Sequence, residues 1–471
     1  ELGAMFPDSG GTRKYAQYSH RPLLGCIASW ANWISLITLI PIEAVAAVQY
    51  MSSWPWSWAN WTHQFLSKGT ITTAGLMIVF LFMLVFTLLN FWSVKILTSF
   101  TSLISIFKIG VPALTIVMLT IASFHPENYG HSLHEFMPYG SAPIFAATSS
   151  AGIIFSFNAF QTVINMGSEI KNPKKNIGRG IFYSLLISGV IYVVLQSVFI
   201  TAIKPSVVAA HGWAGINFNS PFADLAIMLG IRWLSILLYM DAFVSPVGTG
   251  VSFAASTGRA LYAMEGNQHI PSFLGKINQK YGIPRVAMIV NLILSMLMVS
   301  VFRSWATLAT VIWTSTLIAY LPGPVTAGSF RKMAPDFKRP VRLKHLNWMA
   351  PLSFALASLA VYWAMWPTTV EVILVILLGL PFYFYYEYRA GYVNTRKAFW
   401  SSMWMIFYLI FISVMSYIGS RQFNGINWIH YPWDFVVIIL ASLGFYVWGI
   451  KSAHVFPDYY QAKELNDTVK E

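Results

Sequence analysis

Glu43, Lys108 and Asp241 lie deep inside long apolar stretches of a 471-residue chain. An ionised group in hydrocarbon costs at least about 2.5–3.5 kcal/mol on insertion scales, so each is a candidate for function. Desolvation favours a neutral amine and a neighbouring carboxylate favours the ammonium, so a lysine set against Asp241 or Glu43 can take up and release a proton. A permanent ion pair that only fixes helix packing is the other role such a set can play.

A second group of polar residues interrupts one apolar run: Ser149, Ser150, Ser156, Asn158, Gln161 and Asn165. Asn158, Gln161 and Asn165 follow i, i+3, i+7 and so share one helix face, which in a membrane must meet protein or water. Phe155, Phe157 and Phe160 surround it, as the apolar wall of a small pocket or as plain packing. Gln161 and Asn165 are assigned to gating. Ser245-Pro-Val-Gly-Thr-Gly, with Ser252 and Ser256, loosens a further span and supplies hydroxyls. Small residues that let helices approach explain it equally well.

Positioning these residues requires membrane helices. The chain is 56% hydrophobic and 10% charged, whereas soluble domains carry roughly a quarter charged residues. Windows near 20 residues, apolar and almost uncharged, occur at 23–50, 72–93, 100–124, 144–167, 180–203, 233–262, 286–302, 305–327, 348–366, 369–388, 398–420 and 433–450. They define an all-α polytopic membrane protein: one domain over 1–453 of about 12 helices, and a tail at 454–471. Counting Arg259 with the loop that its span leads into, 24 lysines and arginines fall in one alternate set of loops and 5 in the other, with Lys108 left deep inside a span. This asymmetry puts the rich set, with both ends of the chain, in the cytoplasm, and the protein as a multi-pass component of the cell membrane. At about 1.5 Å per residue Lys108 lies about 12 Å from the inner edge, and Asp241 and Glu43 about 13 and 10 Å from the outer edge. All three fall near the middle of a core about 30 Å thick.

Between spans, Phe222, Leu225, Ala226 and Leu229 keep a helical period, which predicts a short surface helix in 211–229. The tryptophans from Trp54 to Trp61 sit at a span end, where amphipathic rings prefer the headgroup layer.

The formal charge of +13 resides in short loops, so it reports topology and not nucleic-acid binding. One cysteine, Cys26, excludes an intramolecular disulfide and a cysteine-rich metal site. Phosphate-loop, His-Glu-x-x-His and paired-cysteine motifs are absent, and the loop histidines lack metal-ligand spacing. An ATP-driven pump is therefore disfavoured, no metal or cofactor is assigned, and no catalytic set of nucleophile, base and orienting group converges.

Glu1-Leu-Gly-Ala-Met-Phe-Pro-Asp-Ser-Gly-Gly-Thr-Arg-Lys-Tyr resembles the end of the second helix of transporters in the amino acid, polyamine and organocation superfamily. Phe155-Ser-Phe-Asn-Ala-Phe-Gln with Gly167-Ser-Glu-Ile-Lys-Asn-Pro-Lys-Lys-Asn-Ile resembles the sixth helix and the loop behind it. Gly258-Arg-Ala-Leu-Tyr-Ala-Met and Ile283-Pro-Arg resemble the end of the eighth helix and the start of the ninth. Closer similarity to bacterial aspartate:proton symporters runs through Phe124-His-Pro-Glu-Asn, His211-Gly-Trp, Pro221-Phe-Ala-Asp-Leu-Ala-Ile-Met-Leu-Gly, Met240-Asp-Ala-Phe-Val-Ser-Pro and Ser416-Tyr-Ile-Gly-Ser.

The resemblance implies a LeuT-type fold of inverted five-helix repeats with two additional C-terminal helices, lacking the first helix and most of the second. It implies a secondary transporter of amino acids, plausibly aspartate or glutamate, coupled to protons. An uncoupled amino acid or amine exchanger, and a non-transporting sensor of the same fold, are the alternatives. Carbonyls of Phe155, Ser156 and Phe157 would face the substrate amino group, with Asn158, Ala159 and Phe160 nearby. Ala159 replaces a common glycine and Gln161 a common acidic residue. Lys108 matches the fifth-helix lysine that stands in for a sodium ion in sodium-independent members. The partners implied are an amino acid, protons and membrane lipid.

Overall fold

A computed structural model describes residues 1–6, 11–20, 22–91, 94–158, 172–218, 220–265, 271–278, 283–389, 395–454, 460 and 463–464. The chain is mostly helical, and among the described residues seven helices are long and apolar enough to cross a membrane, so it is a multi-pass membrane protein.

The centre of the molecule is a 30-residue helix, α3 (Pro22–Met51), reached through two short helices, α1 (Leu2–Met5) and α2 (Gly11–His20). The α3 span is 89% buried, against 17% for the span Lys175–Ala202, so α3 is an axis and the latter a rim helix facing lipid. Its composition allows this: apolar and small residues occupy all its faces, as a helix surrounded by protein requires. A β-hairpin follows, β1 (Leu66–Ser67) and β2 (Thr70–Ile71), tied by the Ile71 amide donating to Arg303 O at 2.8 Å. Then come α4 (Thr73–Leu89) and α5 (Val94–Ala122).

The window 144–167 is not one helix. A short α6 (Leu133–Phe136) leads to α7 (Ala142–Ser150), and the helix then stops. Gly152 has φ +72°, and a Cβ there would fall 2.6 Å from the Trp305 ring, so glycine is demanded by backbone conformation and by space. Phe155–Phe157 make one 3₁₀ turn, after which Asn158 is extended.

The chain continues through α8 (Pro173–Ala202), α9 (Pro205–Gly215), α10 (Pro221–Met228) and α11 (Arg232–Glu265). α10 is the expected surface helix, with Leu225 and Ala226 buried and Phe222 and Leu229 packed beside them. Then follow α12 (Arg285–Val301), α13 (Trp305–Tyr320), α14 (Pro322–Met333), α15 (Leu346–Tyr362), α16 (Thr368–Leu377), α17 (Leu380–Arg389), α18 (Thr395–Ile418) and α19 (Trp433–Ser452). α11 and α13 pack along α3 from two sides, and α15, α18 and α19 pack together as a C-terminal group. Two cores result. One joins the first half of α3 to α13, α15, α16, α18 and α19, and the other joins its second half to α4, α11 and α12.

Buried polar groups pin these layers. Glu1 takes a bidentate contact from Arg331, Nε at 3.1 Å and Nη2 at 2.7 Å, which fastens the start of the chain to α14. His20 is fully buried and its Nε2 lies 2.8 Å from Gly449 O. A carbonyl only accepts, so Nε2 carries the proton and Nδ1 accepts from the Ser19 hydroxyl at 2.7 Å. Ser401 and Ser402 both donate to His20 O at 3.0 Å, which joins α2, α18 and α19 at one point. In the C-terminal group the fully buried Asp434 accepts from Tyr362 Oη at 2.7 Å, and Tyr362 Oη accepts from the Ser420 amide at 3.2 Å.

Burial pushes the His20 imidazole down to about 4 from its ordinary 6.5. The unfolded chain therefore binds this proton first, and the contribution is complete above pH 6.5 and is lost as pH falls toward 4. The loss reaches about 3 kcal/mol at about 1.4 kcal/mol per unit. His20→Gln should flatten the fall in unfolding midpoint of the detergent-solubilised protein between pH 7 and 4.5, and an unchanged slope would contradict this. Tyr362→Phe removes a donor from Asp434 and an acceptor from Ser420. It should lower stability by about 1–3 kcal/mol, read from thermal unfolding in detergent.

Candidate functional site

The three ionisable residues of the apolar stretches come together. Glu43 projects from α3, Lys108 from α5 and Asp241 from α11, and α11 packs on both other helices. Each carboxylate feels the Lys108 charge, and the Tyr50 hydroxyl on α3 feels both carboxylates. Among the described residues these charges form no direct ion pair. The Lys108 ammonium donates instead to Thr249 Oγ1, Thr249 donates to Ser245 O at 2.9 Å, and Ser245 Oγ donates to Asp241 Oδ1 at 3.0 Å. The Ser245-to-Thr249 turn thus lies between amine and carboxylate, with the Thr249 hydroxyl ending on the Ser245 carbonyl, which only accepts, and the Ser245 hydroxyl turned to Asp241.

Local sequence explains why the charges can sit here. Each of the three helices carries one internal proline beside its charge: Pro41 in α3, Pro112 in α5 and Pro246 in α11. Proline has no N–H and releases the carbonyl four residues back, which bends the helix and leaves an acceptor. In α3 that carbonyl is Ile37 O, and Ser295 Oγ of α12 donates to it at 2.8 Å. In α5 the released carbonyl is that of Lys108 itself.

The second set of candidate residues lies at the break after α7. Phe155 O accepts from the Asn158 amide at 2.9 Å, and Ser156 O accepts from Tyr192 Oη of α8 at 2.9 Å. Phe155 meets Trp305 edge-on at 5.8 Å between ring centroids, and Phe157 meets Tyr192 at 5.3 Å. The break is thus held between α13 on one side and α8 on the other. Ala159, Phe160, Gln161 and Asn165 lie outside the described residues. α7 is anchored to the C-terminal group: Phe145 lies between Trp363 and Phe435, 4.9 and 5.3 Å away, and Ser141 Oγ is 2.8 Å from Tyr431 Oη.

Sequence reasoning set Lys108 against Asp241 or Glu43 near the middle of the membrane, and in the structure the three lie on α5, α11 and α3, with α11 packed on both other helices. It overlooked Trp305, Tyr192, Tyr50 and Ser295. The proline offsets carried a usable signal for Ser295, since Pro41 requires some donor to reach Ile37 O. Tyr192 was one of several hydroxyls in the apolar run 180–203, and nothing local pointed it at Ser156.

Residues 1–386 match the family model for amino acid permeases. The chain is 50% identical to the glutamate/serine transporter AimA of Bacillus subtilis (strain 168) over 468 residues, 99% of this chain and 86% of that protein. It is 34% identical to the aspartate-proton symporter of the same organism over 456 residues, 95% of this chain and 85% of that protein. The branched-chain amino acid permease BcaP, also from Bacillus subtilis (strain 168), is 24% identical over 411 residues, 84% of this chain and 83% of that protein. With the family model covering most of its length, and with several helices apolar enough to cross a membrane, the chain belongs to the amino acid permease family, whose members in this comparison are transporters and not enzymes.

Proposed function

We propose that this permease is a proton-coupled symporter of small acidic amino acids, working in a cell membrane with the lysine-rich loops inside. The observation that carries the proposal is the Lys108 ammonium, held by the Thr249 hydroxyl within electrostatic reach of Asp241 and Glu43 but paired directly with neither. An amine so placed can release its proton when a shift of the helices moves it away from the carboxylates, and take one up when it returns to them. A proline inside each of the three helices gives that shift a place to occur.

The substrate, on this reading, binds at the break after α7, against Phe155, Ser156, Phe157 and Asn158, with Ala159 and Phe160 beyond. Backbone freed from a helix is tolerated at membrane depth only where it is covered by protein or lines a cavity, which supports a binding role for this segment. Gln161 and Asn165 gate it. The relatives' substrates, glutamate or serine for one and aspartate for another, support a small amino acid carrying a second polar or acidic group. Transport follows alternating access in a LeuT-type arrangement, within a single domain at 1–453.

Uptake of radiolabelled glutamate, aspartate and serine into proteoliposomes tests the coupling. An inwardly directed proton gradient should raise accumulation, and a protonophore should abolish the rise. Lys108→Ala should reduce gradient-driven accumulation at least about tenfold while exchange of internal for external substrate persists, because exchange needs no net proton movement. Accumulation in the variant equal to the parent would overturn the role of Lys108. Asp241→Asn should shift the pH profile of uptake without abolishing substrate binding, read by competition with labelled substrate. An unmoved profile would remove Asp241 from the proton path.

A further inference from the structure

A recess of about 620 Å³ opens beside the first turn of α7, between it and the loop that leads into α19. The segments before α7 and before α19 both belong to the lysine-poor set of loops, so on the orientation proposed above the recess faces outside. Ala142 and Ala146 lie one helical turn apart on α7, and their small side chains leave the space. The frame is fixed on both sides. Tyr139 Oη accepts from the Ala214 amide of α9 at 3.1 Å, and the Gly140 amide donates to Met137 O at 3.1 Å. Across the recess the Tyr431 ring meets Phe435 edge-on at 5.3 Å. The loop before it is tied back to the end of α18 by the Ile426, Asn427 and Ile429 amides, which donate to Tyr417, Gly419 and Ile418 O at 2.8, 2.7 and 3.1 Å.

Size admits a small solute, since sites for small molecules run about 300–1,000 Å³, and hydrogen-bonding capacity selects its chemistry. Among the described residues the recess has four polar side chains, Tyr139, Ser141, Gln422 and Tyr431, and none carries a charge. Ser141 Oγ and Tyr431 Oη share one hydrogen bond of 2.8 Å, which occupies one of their two protons and leaves the other. Tyr139 accepts from Ala214 through its oxygen and keeps its proton. Two hydroxyl protons are thus left to donate, and the exposed Gln422 adds an amide that can also accept. The set suits a carboxylate, which only accepts, joined to an ammonium, which only donates. Those are the two ends of an amino acid. With no full charge to pair against, such a ligand is held by hydrogen bonds alone and can leave again, as a site on a transport route requires.

The recess and the break after α7 lie at the two ends of one short helix, which rises about 13 Å at about 1.5 Å per residue. We propose that this recess is an outer waiting site for the transported amino acid. Its carboxylate takes the hydroxyl protons of Tyr139 and of the Ser141–Tyr431 pair, its ammonium donates to Gln422 Oε1, and from there it passes along α7 to the break. The proposal rests on the reading of the chain as a carrier of small acidic amino acids and gives the same substrate a second place to bind.

Cys26, the one cysteine, is buried, so Pro143→Cys places a single reachable thiol on the recess and leaves its four polar groups in place. Modification of that thiol by a membrane-impermeant maleimide is followed in right-side-out vesicles carrying the whole protein. External glutamate should slow it several-fold, and glycerol at the same concentration should not. A thiol introduced instead by Leu133→Cys, on the same outer loop and at a position 72% exposed, should react at one rate throughout. Asn158→Trp, which obstructs the break, should stop uptake and leave the protection intact. Tyr139→Phe, Ser141→Ala and Tyr431→Phe together should remove the protection, and without the thiol they should raise KM for uptake several-fold at an unchanged maximal rate. Equal modification with and without glutamate, in a protein that still takes glutamate up, overturns the waiting site alone. Protection by glycerol, or protection lost in Asn158→Trp, does the same. A protein that neither takes up glutamate nor is protected by it removes the substrate reading as well.

Discussion

A backbone carbonyl without a partner costs several kcal/mol in hydrocarbon, and the arrangement of this protein follows from where its helices give such partners up. Pro41 withdraws the partner of Ile37 O, and Ser295 of α12 crosses to replace it. The break after α7 exposes Ser156 O, and Tyr192 of α8 reaches it. In each case the repair ties together two elements that are distant in sequence. The places where the regular ladder fails are the same places where helices are joined and where the chemistry-bearing residues gather.

Charge follows the same economy. Lys108, Asp241 and Glu43 lie on three helices that each contain a proline, and among the described residues the lysine's hydrogen bond goes to a hydroxyl. A hydroxyl satisfies an ammonium's geometry without neutralising it, so the centre keeps its electrostatic tension while its hydrogen bonds are met. Asp434 contrasts with this. It is fully buried, bonded to Tyr362 and to the Phe435 amide, and set in the first turn of α19, where a helix N-terminus favours negative charge. The first cluster is arranged for change and the second for permanence. Phe145 lies between Trp363 and Phe435 and so connects the broken helix to that permanent group.

How much of this was legible beforehand depends on the range over which each determinant acts. Membrane helices were legible because apolar runs are local: the window 23–50 became Pro22–Met51, and 433–450 became Trp433–Ser452. The window 144–167 shows the limit. Its serines and amides mark a polar stripe but no break, and the interruption of the helix comes with the φ of Gly152 and a tryptophan 153 residues away that leaves no room for a side chain. Likewise the window 305–327 divides at Leu321, and 369–388 divides around Gly379, because packing and proline decide there and composition does not. Among the site residues, isolated charges in apolar runs announced themselves. Tyr192 and Trp305 did not, since aromatic residues are common in every span and only tertiary contact distinguishes these two.

The burial of α3 between later helices also bears on how the protein is made. Glu43 leaves the ribosome 65 residues before Lys108 and 198 before Asp241. The helix destined to be the axis must therefore wait in or beside the insertion machinery with its carboxyl group unmatched, while its apolar faces are covered by lipid that α11 and α13 later displace. Assembly is then a sequence of exchanges, lipid for helix and isolation for partnership. The step that admits α5 is the first to bring Glu43 a counter-charge.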